Sequence, residues 1–285
     1  MALLVSECVG QFFVEGDRLE YTEYGSGERW VVLLSGTLMP RGLQQRLARA
    51  LAGDGAHVVA LDLLGHGRSD RPNDPRRYSM TDFAEQVVAL LDHLGAEQAV
   101  VGGTSLGANV SLDVAALVPD RVRGLILEMP VLDNGMTPGL VLFTPLMLTA
   151  RLAPFAVDAV RVVTRLVPRG VVPFWATVAL DTLNQRPRPM AAALQGVFFG
   201  RIAPSSKQRR AIHTEALVVG HRFDPVHSIH DARMLADELP NATYVEATSP
   251  LEWRLDPARL DAAAAKLVNA AWASRPARRR RSALR

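Results

Sequence analysis

The chain has a single cysteine, Cys8, so no disulfide can form within one copy. Long apolar runs are missing too. The most apolar stretch, "GLVLFTPLMLTA" from Gly139 to Ala150, is interrupted by Pro145 and followed by Arg151. Spanning a bilayer takes roughly 20 apolar residues, so this segment is expected to line a pocket or touch a membrane surface, not to cross one. The N-terminal "MALLVSECVG" lacks the basic flank and the long apolar core of a signal peptide, and the cytoplasm is the expected compartment. No repeat of fixed period is visible. "GSGERW" lacks the Lys-Ser/Thr ending and the strand-to-helix setting of a phosphate-binding loop. No group of His, Cys and carboxylates has metal-ligand spacing, so neither a cofactor nor a metal is expected. Finally, no histidine follows His230.

What is present is an ordinary globular composition, 48% hydrophobic and 21% charged over 285 residues, enough for a full core. The formal charge of +3 becomes −3 without the six arginines of the tail "RPARRRRSALR". The body is therefore not a basic surface, and a nucleic-acid partner is not expected. The tail, residues 275–285, reads as a solvated, disordered terminus.

After a hairpin of "QFFV" and "RLEYTEY" around "EGD", short β-branched runs alternate with amphipathic segments. "WVVLLS", "HVVALD", "AVVGG" and "GLILE" read as parallel strands buried on both faces. "RGLQQRLARALAGDG", "SMTDFAEQVVALLDHLG" and "LGANVSLDVAALVPD" read as the helices between them. This repetition predicts an α/β fold: an open, mostly parallel sheet with helices on both faces. The pattern stops near Val131 and resumes at "ALVVG", followed by the helix "SIHDARMLADEL", the strand "TYVEA" and a last helix from "DPARLDAAAAKLVNAAW". The expected division is a core of residues 1–131 and 213–274 with a helical cap inserted at 132–212. The cap's apolar content predicts an apolar pocket.

The segment "GTSLG" places Ser105 between Gly103 and Gly107, after a buried strand and before a helix. Glycines on both sides permit the tight turn that presents Oγ, and the helix N-terminus offers its amides to developing negative charge. With "SGT" after the first long strand, the loop "LDLLGHGRSDRP" and the later "VVGHRFDPVH", the chain resembles the α/β-hydrolase superfamily from about Phe12 to Trp272. The resemblance implies Ser105 as nucleophile, Asp224 as acid, and an oxyanion hole from the amides of Thr37 and Leu106. It also implies a structural role for His66. Epoxide hydrolases and haloalkane dehalogenases of this fold normally carry an aspartate where this chain has Ser105.

The family's base histidine follows the last strand. Here "ATSPLEWRLDP" puts Ser249 or Pro250 at that place, and neither accepts a proton near neutral pH. Of the other histidines, His57, His93 and His213 read as packing or surface residues, and His230 as a helical turn too far away. His221, just past a strand end, stays open. His227, three residues after Asp224, is the better candidate base; it reads equally as a polar loop residue near a helix start. Glu252 is another acid-base group in that last loop, though Glu252 and Arg254 read better as an exposed ion pair, with Trp253 packed under the last helix. Two functions follow. One is a serine hydrolase of esterase type acting on an apolar ester or related acyl compound with a displaced base. The other is a catalytically impaired relative that binds a hydrophobic ligand or runs a non-hydrolytic reaction.

Overall fold

The computed structural model describes residues 5–132, 134–168, 172 and 174–273. Strands β1 (Glu7–Val14) and β2 (Asp17–Tyr24) form an antiparallel hairpin. Its two-residue turn, Glu15 and Gly16, has both φ angles positive, matching the twist of the strands it joins. Six more strands follow: β3 (Arg29–Leu34), β4 (Ala56–Asp62), β5 (Ala99–Thr104), β6 (Val122–Glu128), β7 (Glu215–His221) and β8 (Ala242–Ala247). They join the hairpin in one sheet of order β1-β2-β4-β3-β5-β6-β7-β8, parallel from β4 onward.

The central strands are largely apolar because both faces are covered. Val31, Val32, Leu33, Leu34, Val100 and Val101 have no exposed surface. One face packs on α1 (Gln45–Gly53), through Leu47 and Leu51, and on the C-terminal helix Ala258–Ala273, through Leu260, Ala264 and Val268. The other packs on α2 (Met80–His93) and α3 (Leu106–Leu117), through Phe83, Val87, Val110 and Val114, and on the helix Ile229–Glu238. Helix α2 begins where Ser79 and Asp82 exchange side-chain and backbone hydrogen bonds.

Between β6 and β7 the chain forms α4 (Met136–Leu152), α5 (Pro154–Leu166), α6 (Phe174–Leu183), α7 (Pro187–Phe199) and α8 (Ser206–Arg210). These occupy the stretch expected to be helical. Pro145 does not end α4 but lies inside it, at the cost of one backbone hydrogen bond. The remaining helices are α9 (Ile229–Glu238), the single turn α10 (Glu252–Leu255) and α11 (Ala258–Ala273). Among the described residues no single helix is long and apolar enough to cross a membrane. The arginine-rich tail expected from residue 275 lies outside the described residues.

Candidate active site

The C-terminal ends of β3, β5, β6 and β7 converge below α4, α6 and α7, and the space between holds a cavity of about 980 Å³. Leu43, Met80, Leu106, Val131, Phe143 and Val197 are among its apolar walls. Ser105, His227, Thr104, Asn109 and Arg254 bring polar atoms to it.

Ser105 sits at the sharp turn from β5 into α3 with φ 56 and ψ −112. A left-handed conformation is costly for a side-chain-bearing residue, and the surroundings hold it. Its amide donates to the Glu128 carbonyl at 2.8 Å, and its carbonyl accepts from the Asn109 amide at 3.1 Å. The flanking glycines are steric necessities: a methyl group added at Gly103 or Gly107 would lie 2.3 or 2.4 Å from the Leu34 carbonyl oxygen. This close approach of β3 lets the turn pass over the sheet edge.

On the loop after β7, Phe223 takes φ 59 and turns the chain back toward the cavity. The Asp224 carboxylate then closes the loop on itself, accepting from the amides of Val226 at 2.8 Å and His227 at 2.9 Å. Its other oxygen meets His227 Nδ1 at 2.9 Å. Nδ1 facing a carboxylate must donate, which leaves Nε2 as the acceptor. His227 Nε2 lies 2.9 Å from Ser105 Oγ, across 122 residues of chain. Burial opposes ionisation of Asp224, but the hydrogen bonds and charge of His227 outweigh it and hold the carboxyl below its ordinary range. The structure thus brings Ser105, His227 and Asp224 into one hydrogen-bonded line.

Thr37 and Leu106 both line the cavity beside Ser105. The turn containing Thr37 lies against the serine, since a methyl group on Gly36 would sit 3.7 Å from Ser105 Cβ. Of the two positions at the family's histidine site, Pro250 lines the cavity and Ser249 does not.

Four of the other histidines are occupied elsewhere. His57 stacks on Trp30 and meets Glu23 at 2.7 Å, and His93 meets the Tyr21 hydroxyl at 3.3 Å. His66 is buried within the loop that follows β4, with Nδ1 donating to the Leu64 carbonyl; burial pulls its pKa down to about 4. His221, left open by the sequence, is buried, with Nδ1 2.8 Å from the Ser249 carbonyl and Nε2 3.2 Å from Glu128. Among the described residues it does not hydrogen-bond Ser105.

The expected exposed pair of Glu252 and Arg254 is corrected. Glu252 is 8% exposed and turns back to accept from the Thr248 amide and hydroxyl and from Arg259. Arg254 reaches the other way, to Glu128 at 2.7 Å and Thr104 Oγ1 at 3.2 Å. Residues two apart on one helical turn do not face each other, so each found a separate partner. Gln44 Nε2 completes the cluster, donating to Thr104 Oγ1 at 3.0 Å and to the Leu34 carbonyl at 2.8 Å. A polar network beneath Ser105 therefore ties β3, β5, β6, β7 and the last loop together. Glu128, fully buried within it, is held at about 2: Arg254 first, then His221 and Thr104, outweigh the cost of burial. Trp253 is buried as expected, its Nε1 donating to Asp261 of α11.

A family model described as alpha/beta hydrolase fold matches residues 29–163. The chain is 41% identical over 88 residues to epoxide hydrolase B of Mycobacterium tuberculosis, a match to 30% of this chain and 25% of that protein. It is 30% identical over 197 residues to 2-hydroxymuconate semialdehyde hydrolase of Pseudomonas putida, covering 65% of this chain and 66% of the relative. Among solved structures, the enol-lactonase from Burkholderia xenovorans LB400 superposes with a TM-score of 0.71 at 21% identity, over 93% of this chain and all of that one. The structural match at that identity shows a shared fold.

Proposed function

Because the chain belongs to the α/β-hydrolase superfamily, we propose that Ser105, His227 and Asp224 form the catalytic triad of a serine hydrolase acting on an apolar ester or related acyl compound. The observation that carries this reading is the continuous contact from Ser105 Oγ to His227 Nε2 and from His227 Nδ1 to Asp224, both at 2.9 Å. A base within hydrogen-bond reach of the nucleophile, itself oriented by a third group, is what activation of a serine hydroxyl requires.

In the proposed reaction Ser105 Oγ attacks the acyl carbon while its proton passes to His227 Nε2, and the carbonyl electron pair moves onto oxygen. The amides of Thr37 and Leu106 hold that oxyanion. Its collapse breaks the bond to the alcohol, which leaves with the proton from Nε2. Water, deprotonated by the same nitrogen, then attacks the acyl-serine, and the carboxylic acid departs as Ser105 regains its proton. Asp224 keeps Nδ1 protonated and stabilises the imidazolium of each step.

The apolar walls favour an acyl or alcohol portion without charge, and residues 132–212 serve as the cap over it. The serine at the nucleophile position favours ester chemistry over epoxide opening, despite the local likeness to epoxide hydrolase B. The cytoplasm remains the proposed compartment. The test is intact-mass spectrometry during turnover of p-nitrophenyl butyrate. A butyryl adduct mapped to Ser105, absent in Ser105→Ala, supports the reading. Turnover that persists in Ser105→Ala overturns it.

A further inference from the structure

Helix α5 is amphipathic with its apolar side facing outward. Phe155, Val162, Val163 and Leu166 are 60–76% exposed, and their spacing of seven, one and three residues places them on one helical face. Leu152, the last residue of α4, is also 76% exposed. The inward side holds Val157 and Thr164, and the Asp158–Arg161 ion pair flanks it. A helix packed on a water-soluble body normally does the reverse, and contiguous exposed apolar surface on this scale marks a contact.

The charges around the stripe indicate what it meets. Residues 134–204 carry seven arginines against two aspartates, with no lysine and no glutamate. Arg151 and Arg165, at the ends of the stripe, are exposed and hydrogen-bond the neutral side chains of Gln195 and Asn184. A second copy docking by two-fold symmetry would set this arginine-rich region against itself; an anionic lipid surface supplies the opposite charge. Helices α4 and α5 together have the length and composition of a membrane span but are bent by 103°, a shape that suits lying in an interface. Helix α5 packs against α4, α6 and α7, the helices that wall the cavity. Leu142, Leu183, Leu251 and Leu255 line that cavity and are themselves 46–69% exposed.

We infer that the outward face of α5 seats this protein on an anionic bilayer surface, its apolar stripe entering the headgroup boundary and Arg151 and Arg165 contacting lipid phosphate. Docked in this way, the helices above the cavity stand where apolar substrates partition.

The experiment is cosedimentation of the full chain with vesicles of phosphatidylglycerol and phosphatidylcholine in equal parts, and with phosphatidylcholine vesicles alone. The variants are Phe155→Ser/Val163→Ser and Arg151→Gln/Arg165→Gln, each checked by circular dichroism melting. Ser105→Ala run in parallel makes the result independent of turnover. The expected result is salt-sensitive binding to the anionic vesicles by wild type and Ser105→Ala alike, weakened about tenfold or more in both double variants. Wild type left in the supernatant, equal binding to neutral vesicles, or undiminished binding by Phe155→Ser/Val163→Ser would overturn the proposal. So would sedimentation velocity showing a dimer that this variant dissolves, because the face would then belong to a second copy.

Discussion

Asp224 and His227, three residues apart on one loop, are joined both through the imidazole and through the backbone amide of His227. One carboxylate thereby sets both the ring's tautomer and the path of the loop that carries it. Asp224→Asn is expected to lower kcat by roughly 10³-fold or more, with KM little changed because the residue does not line the cavity. Steady-state kinetics on a soluble ester, beside a melting curve to confirm the fold, checks this.

The elbow glycines make a steric prediction. In Gly107→Ala the new methyl group meets the backbone of Leu34, so β3 and the start of α3 must separate. A loss of about 2–3 kcal/mol is expected, together with slower chemistry at Ser105, since the same movement displaces the turn. Urea unfolding and single-turnover acylation measure the two effects. Stability equal to wild type would contradict the packing described.

His66 makes the protein acid-sensitive. Its imidazole titrates at about 4 in the folded chain against an ordinary 6.5, so between those values the unfolded chain binds the extra proton. Stability therefore falls as pH drops from about 6.5 toward 4, by on the order of 3 kcal/mol. In His66→Asn this part of the decline should be missing, as read from urea midpoints across that range.

Glu128 acts in a lower window. Its carboxyl is held at about 2 against an ordinary 4.5; the stabilisation is complete above 4.5 and is lost as pH falls toward 2. Glu128→Gln leaves Arg254 facing a neutral amide. At neutral pH it is expected to cost about 2 kcal/mol, less than a fully buried pair because the Arg254 side chain is 21% exposed. The variant's unfolding should also vary less with pH between 4.5 and 2 than that of wild type.

Much of the fold is legible in the sequence because the central strands are mostly apolar runs covered on both faces, and α2 carries its own start signal at Ser79. Ser105 is legible for a related reason: two glycines around a serine between a strand and a helix have a local steric purpose. His227 is legible only in outline. Its spacing from Asp224 is visible, but the inward turn depends on Phe223 adopting a left-handed conformation, which phenylalanine does not advertise. The network of Gln44, Thr104, Glu128, His221 and Arg254 was out of reach, since its members come from five separate segments. The error over Glu252 and Arg254 has the same origin: nearness in sequence suggested a pair, and burial gave each a distant partner.

The most direct test of the account is the rate of labelling by a fluorophosphonate probe in wild type, Ser105→Ala and His227→Ala, measured side by side across pH. Labelling of wild type at Ser105 is expected, with none in Ser105→Ala and a rate in His227→Ala reduced by about 10³-fold or more. Labelling of His227→Ala at the wild-type rate would contradict the assignment of the base, and an unreactive wild type would contradict the nucleophile itself.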